Sequence, residues 1–176
     1  MSEPKYDAIE LEHIIYDPSA RNGKWCCAPY ENHPHGCPNF TKGCTSKRPP
    51  FTELISKYDH WYAVVEIFNL KAHAEKMRAD HPEHIGKNGK IISAWTERQC
   101  RNPLYWQGTV RHNLKLKAER LNDYFEYFYG SRGFLLDIPE ANGINIFETM
   151  AKVGIILERK PDIVKKVMIV GLEGKS

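Results

Sequence analysis

A chain of 176 residues with 41% hydrophobic and 27% charged side chains can bury a core without covalent staples, and reads as one domain over residues 1–176. Its formal net charge of +3 is too small to argue for nucleic acid or an acidic partner. No run approaches a transmembrane span, and the opening Met1-Ser2-Glu3-Pro4-Lys5 lacks the basic and apolar regions of a signal peptide, so a cytoplasmic chain with no membrane partner is expected.

Residues 1–18 are polar with scattered Ile9, Leu11, Ile14 and Ile15, and read as a short strand or extended arm ending near Asp17-Pro18. Residues 19–50 form a cysteine-rich loop closed by Pro49-Pro50. Gly36, Gly43, Pro29, Pro34 and Pro38 exclude a regular helix or strand between Trp25 and Cys44. Phe51 to Tyr58 suits a short helix starting near Thr52. Trp61 to Phe68 is β-branched and aromatic, as a central buried strand would be.

Asn69 is placed to cap a helix from Leu70 to about Ala79, stopped by Pro82. Ile85 to Lys90 contains Gly86 and Asn88-Gly89, a turn signal. Thr96 and Gln99 fit a capping box, opening a helix that passes Pro103 and runs to about Phe128. Val110, Leu114, Ala118, Leu121, Phe125 and Phe128 give it one apolar stripe. Gly130 and Gly133 end it. Gly133 to Leu136 reads as a second strand, Ile146 to Val153 as a short helix capped by Asn145, and Ile163 to Leu172 as a last strand. These elements predict an α+β fold: a small mixed or antiparallel sheet, helices packed on one face, and the cysteine-rich metal-binding loop.

Four of the five cysteines, Cys26, Cys27, Cys37 and Cys44, fall in the loop. Thiols stay reduced in the cytosol, and clustered cysteines there are more often metal ligands than disulfides. Ten residues (27–36) separate Cys26 from Cys37 and six (38–43) separate Cys37 from Cys44. Cys100, at the start of a helix whose partial positive charge favours a thiolate, is the candidate fourth ligand. The proposed set is therefore Cys26, Cys37, Cys44 and Cys100. Adjacent side chains rarely reach one small site together, so one of Cys26 and Cys27 is a bystander. His33 and His35 are alternative ligands, read first as solvated loop residues.

Structural zinc sites use pairs of ligands two to four residues apart, and the loop's cysteines offer no such pair apart from the adjacent Cys26-Cys27. Wider spacings suit an iron–sulfur cluster, [4Fe–4S], whose all-thiolate form carries a net charge of about −2. Arg21, Lys24, Lys42, Lys47 and Arg48 lie in the same loop to balance it. Zinc is the alternative cofactor.

Trp25-Cys26, Pro29-Tyr30, Gly36-Cys37-Pro38-Asn39-Phe40, Lys42 and Pro49-Pro50-Phe51 resemble the mark of a widespread family of predicted metal-binding proteins of uncharacterised function. Glu66 to His73, Leu104 to Thr109, Glu140 to Phe147 and Lys152 to Gly154 extend the resemblance over most of the chain. The chain departs from the pattern at one place. The family's third cysteine stands directly before Pro-Pro, where Arg48 stands here, and Cys44 lies four residues earlier. The resemblance implies metal binding, with Cys26 rather than Cys27 as the ligand, and candidate pocket residues Tyr105 and Gln107; Glu66 and His73 are candidates near the same pocket, read first as a strand-edge charge and a helix-surface residue. It supplies no reaction.

Two functions follow as expectations. The first is an iron–sulfur protein with a redox or accessory role and a redox or protein partner, or a Lewis-acid catalyst if one iron is open. The second is a nucleic-acid or protein interaction module with a structural zinc, using Trp95, Arg98, Arg101, Tyr105, Trp106 and Arg111 as a stacking surface. No Gly-x-Ser-x-Gly elbow, His-Glu-x-x-His helix or phosphate-binding glycine loop is present.

Overall fold

The structure is a computed structural model that describes residues 8–21, 35–36, 44, 47–159 and 161–174. In chain order the elements are β1 (Ala8–Glu10), α1 (Pro18–Arg21), α2 (Phe51–Leu54), β2 (His60–Asn69) and α3 (Leu70–Asp80). A small hairpin of β3 (His84–Ile85) and β4 (Ile91–Ile92) follows, then α4 (Glu97–Cys100), a 3-10 turn (Pro103–Tyr105) and α5 (Gln107–Tyr129). The chain closes with β5 (Phe134–Leu136), a second 3-10 turn (Pro139–Asn142), α6 (Ile146–Lys152) and β6 (Ile163–Leu172).

β2 and β6 pair antiparallel along their whole length, from His60 opposite Leu172 to Asn69 opposite Ile163. β1 adds to the outer edge of β2 and β5 to that of β6, giving the order β1-β2-β6-β5. Every pairing is antiparallel, so the sheet is not mixed. Chain-distant strands meet here because both central strands are apolar at consecutive positions, Ala63-Val64-Val65 and Met168-Ile169-Val170, and neither can leave a face in water.

That pattern corrects the expectation of helices on one face only. Val64, Met168, Val170 and Leu172 pack against Leu114, Ala118, Leu121 and Phe125 of α5. On the other face, Ala63, Val65, Leu136 and Ile169 meet Phe51 and Leu54 of α2 and Ile146 and Met150 of α6. Each fully buried side chain of this size contributes about 2 kcal/mol, so neither layer is dispensable.

The caps stand as the sequence implies. Asn69 Oδ1 accepts from the Ala72 amide at 2.9 Å and Asn145 Oδ1 from the Glu148 amide at 3.2 Å. Thr96 and Gln99 complete a reciprocal capping box. The helix they open does not pass Pro103. A residue before proline is pushed out of the α region, and Asn102 is extended at φ −60°, ψ 123°. The chain breaks there, turns once through Pro103–Tyr105 and restarts as α5. No helix among the described residues is long and apolar enough to cross a membrane.

Candidate metal centre

The two ends of the 19–50 loop are fastened to one short stretch, residues 139–145. At the start of the loop, the Asp17 amide donates to the Gly143 carbonyl at 2.8 Å and Tyr16 bridges to Ile144. The Arg21 guanidinium donates to the Ala141 carbonyl at 3.2 Å and across to the Arg48 carbonyl at 3.0 Å. At the far end, the buried Asn142 amide donates to the Pro49 carbonyl at 2.7 Å. Gly143 makes the close approach possible: its φ is +87°, and a Cβ there would lie 2.6 Å from the Tyr16 ring. The stretch turns here because the 3-10 turn after Pro139 ends on this left-handed glycine.

Cys44 sits on the fastened end. Its Sγ is 3.5 Å from Arg48 Nη1, which also donates to the Cys44 carbonyl at 3.2 Å. The other guanidinium nitrogen grips Asp137 by both oxygens, at 3.0 and 2.9 Å. Asp137, directly after β5, thus aims a cationic fork at the sulfur. A donor and positive charge directed at a cysteine sulfur is what a ligand thiolate needs from its surroundings. The observed surroundings of Cys44 fit a bound iron–sulfur centre or zinc.

Cys26, Cys27, Cys37 and His33 lie outside the described residues, and His35 is exposed. Cys100 is fully enclosed at 0% exposure, with Sγ 3.9 Å from the Trp95 carbonyl. Its neighbour Arg101 is tied to Asp162 and to the Pro161 carbonyl, just before β6 starts at Ile163. Cys44 is tied through Arg48 to Asp137, one residue past Leu136, which pairs with Ile169. Six strand steps from Ile163 to Ile169 put about 20 Å of ladder between those anchor points. Among the described residues no three histidine, cysteine or carboxylate side chains converge as a metal site.

The aromatic and basic residues of the 95–111 region are largely engaged internally. Trp106 is buried, stacks on Phe68 at 5.3 Å and donates from Nε1 to the Arg101 carbonyl. Arg101 pairs with Glu97 and Asp162, while Trp95 stacks on His81 at 3.7 Å and meets Tyr105 at 5.0 Å. Glu66 pairs with Lys117 at 2.8 Å and accepts from Asn113 at 3.3 Å. His73 packs on Phe68 at 5.5 Å with Nε2 buried and unpartnered, and burial, then Lys76, lowers its pKa.

A cavity of about 410 Å³ opens instead on the α5 face, lined by Arg111, His112, Lys115, Leu135, Asp137 and Met168. None of Glu66, His73, Tyr105 or Gln107 lines it. Close by, half-buried Glu140 faces Lys166 and Arg111. Burial pushes the Glu140 carboxyl up against the pull of those cations, and pushes the Lys166 amine down. The sequence carried no direct sign of this cluster, because its members come from α5, β5, β6 and the turn after β5.

Compared with known protein families, with curated proteins and with solved structures, the chain matches none.

Proposed function

We propose that this chain is an iron–sulfur protein whose cysteine-rich loop supplies the cluster ligands, Cys26, Cys37 and Cys44, for a redox or accessory role. The observation that carries the reading is the Arg48 guanidinium held between Asp137 and the Cys44 sulfur at 3.5 Å. Such a donor offsets anionic charge at a thiolate and tunes a cluster through its sulfur atoms. The absence of a cysteine pair two to four residues apart in the loop favours iron–sulfur over a cysteine-only zinc site.

Cys100 is assigned to the core, on its enclosure and its Trp95 contact. Three loop thiolates leave one position of a four-iron centre for a fourth ligand, and that position is where substrate chemistry would be sited. When bound, such a centre supplies one-electron transfer or Lewis acidity. The chain's own residues hold Cys44 in place, balance its charge through Arg48, and anchor both loop ends through Arg21 and Asn142.

The test is purification under nitrogen with iron, sulfide and zinc analysis and a visible spectrum. Equal iron and sulfide with a broad band near about 400 nm that bleaches with dithionite is the expected result. Cys44→Ser loses the band and Cys100→Ala keeps it. Stoichiometric zinc with a featureless spectrum overturns the iron–sulfur reading. Loss of iron in a folded Cys100→Ala protein returns Cys100 to the ligand set.

A further inference from the structure

We propose that the cavity between the first turns of α5 and the β5–β6 edge is a binding site for a small acid, held by one oxyanion group on Arg111, His112 and Lys115. The cavity has a volume of about 410 Å³ and is a cleft open to solvent, with Arg111, His112 and Lys115 exposed along it. One wall carries these three side chains from successive turns of α5, and the floor is apolar, Leu135 and Met168. Such a division suits a ligand with a charged group at one end and hydrocarbon at the other.

The charge balance of the lining is positive. Its single carboxylate, Asp137, is already taken by the two-pronged Arg48 pair. Arg111 makes no ion pair with Glu140, and Lys115 has a loose 3.6 Å contact with Glu119. Lys117, two residues on, shows the contrast: it is fully committed to Glu66 and the Val65 carbonyl. Burial raises the neighbouring Glu140 carboxyl, which weakens its competition for Arg111. A guanidinium so placed binds carboxylate or phosphate oxygens in pairs. With the proposed cluster present, the bound acid would stand one ion pair from Cys44, through Asp137 and Arg48. Only that proximity to a cluster rests on the metal reading.

The experiment is calorimetric titration of the full chain, as purified, with inorganic phosphate and separately with succinate at matched ionic strength. Saturable one-to-one binding of at least one probe is expected, and which one saturates separates phosphate from carboxylate ligands. Arg111→Gln and Lys115→Gln, both on the exposed side of α5, should each weaken binding about tenfold with the circular dichroism unchanged. Lys152→Gln, on α6, should leave the affinity within a factor of about two. No saturation by either probe overturns the proposal, as does equal binding by a folded Arg111→Gln protein. Iron and sulfide are measured in the same samples, so an iron-free sample that still binds the anion separates this site from the metal reading.

Discussion

Arg48 occupies the position where the resembled family's pattern carries a cysteine, directly before Pro49-Pro50. Its side chain turns back four residues to the thiol that is present, Cys44. One residue therefore does two things: it pairs with Asp137, and it directs a donor at the Cys44 sulfur. Arg48→Met keeps the length and removes every donor. Partners that orient a metal ligand are commonly worth ten- to a hundredfold in metal affinity. The variant should retain iron about tenfold less firmly against a chelator, with a smaller loss in Asp137→Asn, where the guanidinium survives unaimed. Iron retention in Arg48→Met equal to that of the parent protein would remove Arg48 from the site. Cys44 and Arg48 were visible as residues in the sequence, but their contact was not, because it depends on Asp137, 89 positions away from Arg48.

At the scale of elements, local chemistry was legible and long-range support was not. The caps at Asn69, Thr96 and Asn145 and the strands β2 and β6 follow from patterns within a few residues. The break at Asn102-Pro103 was equally local, and the apolar periodicity on either side of it concealed it. The local signal in the 139–145 stretch is the Asn145 cap, yet the stretch also fastens a loop about a hundred residues earlier. No pattern within that stretch encodes its partners. β6 offers a sharper test of packing between elements. Trp61 lies flat over Gly171, where an added Cβ would sit 2.6 Å from the indole. Phe51 and Tyr58 hold that ring edge-on at 4.9 and 5.6 Å, so it has little room to retreat. Overpacking of this kind costs about 1–3 kcal/mol. Gly171→Ala should lower the urea midpoint accordingly with its slope unchanged, and an unaltered midpoint would show that the ring can move.

For the whole molecule, the question is whether the proposed metal would hold the fold or the fold would hold the metal. Small zinc domains unfold without their ion because they have no other core. Among the described residues three apolar clusters close around the sheet from helix and strand side chains, and Cys44 belongs to none of them. The loop ends are also already brought together, by Arg21 bound to the Arg48 carbonyl and by Asn142 bound to the Pro49 carbonyl. A cross-link inside a loop whose ends are fixed constrains only the chain between them. The gain grows slowly with the length enclosed and amounts to a few kcal/mol at most. Stripping the metal by chelation should therefore leave the far-ultraviolet spectrum and the near-ultraviolet signal of buried Trp61 and Trp106 in place. Unfolding should stay cooperative, with a melting point lower by a few degrees. Collapse of both signals on chelation would mean that the sheet and its helices do not stand without the loop's ligand, and would place the metal among the determinants of the fold.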